Sequence, residues 1–229
     1  MSGEHSDTTA DEGWLSVARR VVEPHLPDPP ARILEIGCGS LGGFVPSLLA
    51  AGYEAVGIDP EAPDGAAYHR TEFERADLGA PVDAIVASTS LHHVVDPTDV
   101  IDRIGGSLVP GGAVVVIEWA WERFDERTAQ WCFARLPAGG GGWLRRHRDE
   151  WPASGRAWPD YLRAWAEGHG LHRADLLVRL LHERLDRRSL ASGPYVFREL
   201  PDTSDADEQA AIDRGEIEAM RVDWVGAAR

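Results

Sequence analysis

The 229-residue chain has no lysine and no asparagine, so its 23 basic side chains are all arginine. The codons of both absent residues are A-rich, and a GC-rich genome accounts for their absence without any functional cause. Cysteine is nearly absent too. Cys38 and Cys132 cannot build a disulfide framework, which excludes the small cross-linked secreted scaffolds and fits a reducing, cytoplasmic setting. No apolar run approaches the ~20 residues of a membrane span, so no membrane partner is expected. Positive charge is outweighed, with 38 acidic residues setting the formal net charge at −15. A protein that grips a phosphate backbone normally shows a basic face. Arg145, Arg146 and Arg148 form a local basic stretch, but acids surround it, and nucleic acid is not the expected partner. A neutral or cationic small molecule suits this field better. Metal-ligand spacing is missing as well: His169 and His172 lie three apart without a supporting carboxylate or cysteine set, and no metal is expected.

What is present is an alternation of strand and helix. Met1 to Glu12 is polar and acidic, without the basic and apolar regions of a secretory leader, and is expected to be a disordered tail (residues 1–12) before a single domain (13–229). Trp14, Val17, Ala18, Val21 and Val22 make one helical stripe, which Pro24, Pro27, Pro29 and Pro30 end. Ile33 to Ile36, Ala55 to Ile58, Val82 to Ala87 and Ala113 to Ile117 are short apolar runs expected as buried strands, with a weaker strand at 68–73. Gly43 to Ala51 is expected as a helix. Asp96-Pro97 is an N-cap and first-position pair for another, with Val100, Ile101, Ile104 and Leu108 inward and Pro110-Gly111-Gly112 as the turn after it. Apolar strands alternating with helices imply a parallel sheet covered on both faces, an α/β doubly wound fold. Beyond Trp119, helices are expected at 125–135, 158–169, 171–183 and 205–214, and strands near 184–190 and 216–225. Seven of the nine tryptophans fall between Trp119 and Trp165. Pro137 and Gly139 to Gly142 are expected to be a flexible stretch.

Gly37, Gly39 and Gly42 spell G-x-G-x-x-G directly after a strand, and Asp59 follows about twenty residues on. Such a loop brings backbone close to a ligand, and the acid accepts ribose hydroxyls. A nicotinamide oxidoreductase and any other adenosine-cofactor protein satisfy this equally. Glu35 weighs against a dinucleotide, because a carboxylate before the loop repels a pyrophosphate and attracts an ammonium. Taken in order, Ile33-Leu34-Glu35-Ile36-Gly37-Cys38-Gly39, Gly57-Ile58-Asp59, Ser90-Leu91-His92-His93-Val94 and Val109-Pro110-Gly111-Gly112 resemble the motifs of small-molecule class I S-adenosylmethionine methyltransferases over roughly residues 30–120. The resemblance has one departure: Leu41 stands where the family has its third glycine, and Gly42 and Gly43 follow.

The resemblance implies a Rossmann-like, mostly parallel seven-stranded sheet whose last strand is antiparallel, with residues 120–170 as a helical, Trp-rich substrate-cap insertion after the fifth strand. It implies S-adenosyl-L-methionine as cofactor, held by Glu35, Gly37, Cys38, Gly39, Asp59, Pro60, Ser88 and Leu91, with Glu74 or Asp77 toward the adenine amino group. Methyl transfer to oxygen or nitrogen of a small-molecule metabolite is the expected activity. An imidazole is the natural base for a hydroxyl nucleophile. His92 and His93 are the candidates, with Glu118 after the fifth strand as partner or substrate contact. Trp119 and Trp121 follow that strand directly and are the expected substrate-binding residues. Cys38 is expected as a small residue that fits, not as a nucleophile. A protein that keeps the cofactor fold without transferring methyl groups stays open beside these readings.

Overall fold

The structure is a computed structural model that describes residues 4–137 and 142–229. The parallel strands are β1 (Arg32–Ile36), β2 (Glu54–Ile58), β3 (Tyr68–His69), β4 (Val82–Ser88) and β5 (Leu108–Trp119). Two further strands, β6 (Asp186–Gly193) and β7 (Arg221–Ala227), complete a seven-stranded sheet in the order β3-β2-β1-β4-β5-β7-β6, with β7 antiparallel to both neighbours. The strand order reverses between β1 and β4, and the carboxyl ends there are where an open α/β sheet binds ligands.

Side chains that alternate along the strands divide between two cores. Ile33, Ala84, Val86, Val115 and Ile117 face one side. They pack against Trp14, Val17, Ala18 and Val22 of α1 (Glu4–Val22) and Phe44, Val45 and Leu48 at α2 (Val45–Ala50). Leu34, Ile85, Val114 and Val116 face the other side. There they meet Val100, Ile101 and Ile104 of α3 (Pro97–Gly106) and Leu177, Leu180 and Leu181 of α7 (Ala174–Arg184). Asp96 caps α3 through the Thr98 and Asp99 amides, as its sequence signature implies. Three helices, α4 (Glu126–Phe133), α5 (Trp143–Ser154) and α6 (Trp158–Gly168), cover the α1 side beyond β5, and α8 (Asp205–Asp213) precedes β7.

Several elements differ from expectation. Residues 4–12, expected as disordered tail, are helical backbone: adding residues to a helix already nucleated by the packed Trp14 stripe costs little. Leu108 belongs to β5 and not to α3, because α3 stops at Gly106. Pro110 to Gly112 bulge out of β5, where Val82 pairs with Leu108 but Ala84 with Ala113. β3 is only two residues long. The Gly139–Gly142 stretch lies outside the described residues except for Gly142. Among the described residues, no helix is long and apolar enough to cross a membrane.

Candidate active site

After β1 the chain turns through Gly37 (φ 80°) and Gly39 (φ 63°), left-handed conformations that glycine adopts at no steric cost. Gly37 has a second reason to be glycine: a Cβ there would lie 2.2 Å from Ser90 Cβ. At Gly39 a Cβ would meet nothing within 4 Å, so the loop is open on that side. Asp59, just beyond β2, holds the lip of the loop. Its Oδ2 accepts the Gly39 N–H at 3.0 Å and its Oδ1 the Glu61 N–H at 2.7 Å. Glu35, 2% exposed, accepts the Phe44 N–H at 2.8 Å, where α2 begins. Burial pushes its carboxyl up to about 8, against the opposing pull of the Phe44 and Val45 amides. Its oxygens come so close to Gly43 that a Cβ there would sit 2.1 Å from Oε1. Gly43 is therefore fitted to Glu35, which explains the shifted glycine pattern.

The second half of the site is the end of β4. Thr89 lies at φ 52°, a costly conformation for a β-branched residue, and donates its N–H to Ile117 O at 2.7 Å. A short 3₁₀ turn, Leu91–His93, follows. Glu118 at the end of β5 locks this turn. Its Oε1 accepts the Ser90 and Leu91 amides at 3.1 and 2.6 Å, and its Oε2 lies 2.6 Å from His92 Nδ1. Glu118 is 2% exposed and His92 4%, so this is a buried carboxylate–imidazole pair. A carboxylate oxygen accepts, so in this bond Nδ1–H is the donor, and Nε2 is the ring nitrogen outside it. His93 is exposed, with its ring centroid 4.1 Å from that of His92. Partial desolvation and the nearby His92 hold its pKa below the ordinary imidazole value.

The comparisons with known proteins bear on the family and the fold. A family model described as methyltransferase domain matches residues 11–183. The chain belongs to the methyltransferase domain family. An uncharacterized methyltransferase of Mycobacterium tuberculosis (strain H37Rv) is 29% identical over 99 residues, covering 37% of this chain and 49% of the relative. The chain thus spans about half the length of the curated relatives it matches. In fold it is similar to the methyltransferase bound to the Trm112 methyltransferase activator of Haloferax volcanii (TM-score 0.58, 16% identity, 98% of this chain and 94% of that one). It is similar also to the geranyl diphosphate C-methyltransferase of Streptomyces coelicolor A3(2), solved with Mg²⁺, geranyl diphosphate and S-adenosyl-L-homocysteine (TM-score 0.55, 16% identity, 93% and 79% covered).

The methyltransferase motifs do not all do what they were expected to do. The glycine loop, Glu35 and Asp59 come together at the ends of β1 and β2. This fits the cofactor of the family: the loop is open above Gly39, and the Asp59 carboxylate beside it, with the buried Glu35 carboxyl behind, suits an ammonium better than a pyrophosphate. Pro60 is exposed behind Asp59. Cys38 is turned inward, since a Cβ on Gly57 of β2 would lie 2.8 Å from its Sγ, and burial raises its thiol to about 12, so it is packing and not a nucleophile. Leu91 is fully buried against the α3 core, so only its backbone belongs to the site. The Ser88 hydroxyl is buried without a hydrogen-bond partner among the described residues. Asp77 accepts the Gly79 amide at 3.0 Å as a turn residue, which leaves half-buried Glu74 the freer of the two.

Trp119 and Trp121 part company. The Trp121 indole N–H donates to His172 O at 3.0 Å, and His172 in turn donates its backbone N–H to His92 O at 2.9 Å. Trp121 and His172 therefore brace the Leu91–His93 turn from behind. Trp119 stacks on Tyr195 (5.7 Å, 5°) and meets the His92 ring edge-on at 6.0 Å. Sequence reasoning missed the site roles of Thr89 and His172. Only the backbone strain at Thr89 and contacts between distant segments mark them, and neither has a local sequence signature.

Proposed function

We propose that the protein transfers the methyl group of S-adenosylmethionine to an oxygen or nitrogen of a small-molecule acceptor, with His92 as general base. The observation that carries this reading is the buried His92–Glu118 pair at 2.6 Å, standing beside the cofactor loop at the point where the strand order reverses. Once bound, the cofactor supplies an electrophilic methyl on a sulfonium. The protein's own groups do the rest. Glu35 faces the ammonium, and Asp59 accepts the ribose hydroxyls. Glu74 lies toward the adenine. His92 Nε2 takes the acceptor's proton as the new bond forms, and Glu118 stabilises the imidazolium and fixes the tautomer. His93, exposed and with its ring tilted against that of His92, is a contact at the acceptor side and not the base. Residues 120–170, which contain α4, α5 and α6, act as the substrate cap. A cytoplasmic, small-molecule role without nucleic acid or membrane suits the net charge of −15.

The test begins with binding of S-adenosylhomocysteine and NADH measured side by side by calorimetry. Binding of the former alone is expected, and tight NADH binding with no response to the former would overturn the reading. With an acceptor found from a metabolite panel, His92→Ala is expected to lower turnover by roughly 10²–10⁴-fold and leave S-adenosylhomocysteine affinity unchanged, because a base acts only as the proton leaves. Full turnover in that variant would return the pair to a structural role.

A further inference from the structure

Most acids around the site are already committed. Asp59 holds the Gly39 and Glu61 amides, Asp77 the Gly79 amide, and Glu118 the Ser90 and Leu91 amides with His92. Glu74 is different. It is half-buried, yet among the described residues its carboxylate has neither a hydrogen bond nor an ion pair. Arg75, next in the chain, is paired with Glu72 at 3.2 Å and leaves Glu74 alone. The chain reaches Glu74 from β3, which ends beside Asp59: the Asp59 N–H donates to His69 O at 3.2 Å. Glu74 then sits in a short 3₁₀ turn, Phe73–Arg75. Phe73 is 3% exposed and belongs to the same core as Ile36 and Ile58, the last residues of β1 and β2, and Leu91 of the turn after β4. Glu74 is therefore an open acceptor at the edge of the site, on the α3 side.

A turn this short does little to hold a side chain in one place. Its own bonds are two, from Arg75 N–H to Glu72 O at 3.0 Å and from Ala76 N–H to Phe73 O at 3.2 Å. Arg103 of α3 adds the missing support. Its Nη2 donates to Ala76 O, and its guanidinium carbon lies 5.2 Å from the Phe73 ring centroid. Phe73 and Ala76 bracket Glu74 and Arg75, so one guanidinium grips the turn at both ends. Its helix is firm, because Val100, Ile101 and Ile104 are buried in the core. Arg103 takes the turn by a ring and a backbone carbonyl, not by the Glu74 carboxylate, and the acid stays uncommitted.

We infer that Arg103 is a positioning residue for the adenine end of the cofactor: by clasping the Phe73–Ala76 turn it aims Glu74 at the exocyclic amino group, and so makes the site select adenine over a base with oxygen in that place. The inference rests on the methyl-transfer reading, with Glu74 as the adenine-side acid. An amino group donates to a carboxylate. An oxo group in its place turns lone pairs toward the same oxygens and is rejected.

The probes are S-adenosylhomocysteine and its deaminated analogue S-inosylhomocysteine, titrated by calorimetry. The wild-type protein should prefer the adenine compound by about ten- to a hundredfold, the scale of one hydrogen bond to a charged group. Arg103→Met keeps the stem and removes the guanidinium. Its preference should fall to about threefold or less, through weaker binding of S-adenosylhomocysteine. A merely structural loss would weaken both compounds alike and leave their ratio unchanged. Arg103→Lys keeps a cation near Phe73 without the fork, and its ratio should fall between the two; it carries the test if the Met variant does not fold. Glu74→Gln, which breaks no bond within the protein, can serve either base through its amide and should lose the preference. An unchanged ratio in the Arg103 variants would overturn the role of Arg103. No preference in the wild type, or a full preference in Glu74→Gln, would overturn the placement of Glu74. Failure of S-adenosylhomocysteine to bind the wild type at all would overturn the methyl-transfer reading itself.

Discussion

Glu35 and Glu118 are equally buried, stand at the carboxyl ends of strands with only β4 between them, and accept backbone amides, yet they hold their loops differently. Glu35 bonds to its own downstream segment, at Phe44. Glu118 reaches across to the segment after β4 and adds an imidazole to the two amides. The Glu118 side is therefore complete without ligand. The Glu35 side carries a carboxyl pushed up to about 8, next to the carboxylate of Asp59, and gains most from an incoming cation. One loop is preset for chemistry and the other is set for capture.

Glu118→Ala tests the preset side and should have the largest effect. It strands the Ser90 and Leu91 amides and His92 Nδ1 in a buried place, at ~1–3 kcal/mol each. Urea unfolding should show a loss of at least ~3 kcal/mol, and turnover should nearly vanish; a loss below about 1 kcal/mol would mean the turn is held by His172 and not by Glu118. Asp59→Ala tests the capture side. S-adenosylhomocysteine affinity should fall about ten- to a hundredfold through loss of charge-assisted hydrogen bonds, with the thermal midpoint nearly unchanged. Unchanged affinity would move the cofactor away from the end of β2.

The smallest effect, and the sharpest on the comparison, is that of Glu35→Gln. Between the unfolded value near 4.5 and the folded value of about 8, the native protein keeps a proton that the unfolded chain releases. The unfolded state then binds fewer protons, so wild-type stability falls as pH rises through that window. Glutamine has no such proton. The variant should be more stable than wild type by about 1–3 kcal/mol at pH 8 and nearly equal to it at pH 5, read by urea unfolding at both values. Parallel curves would mean that Glu35 is ionised throughout and already has its counter-charge.

Much of this was legible because it is local. Ile33 to Ile36, Val82 to Ala87 and Asp96-Pro97 carry their structure in a few adjacent residues, and the glycine loop with Glu35 and Asp59 is written in one short stretch. Trp143, Leu144, His147 and Trp151 do form a helical stripe, but the arginines and Pro152 among them hid α5. The different fates of Trp119 and Trp121 were not legible at all, since His172 decides them from a distant segment. Leu91 and Cys38 sit within site motifs yet point into the core, a matter of side-chain direction that motif spacing does not encode.

The strand order has a mechanical consequence. β7 follows β6 in the chain but lies between β6 and β5, so β6 meets the rest of the sheet through one neighbour. Its side chains from Asp186 to Ser192 are exposed, and little apolar surface is lost when it detaches. Peeling β6 away leaves the β7–β5 pairing intact and with it the position of Glu118, whereas withdrawing β7 unzips two ladders at once. Under load or at the threshold of unfolding, the molecule should fray from the β6 margin inward, and the Leu91–His93 turn should be among the last parts to notice.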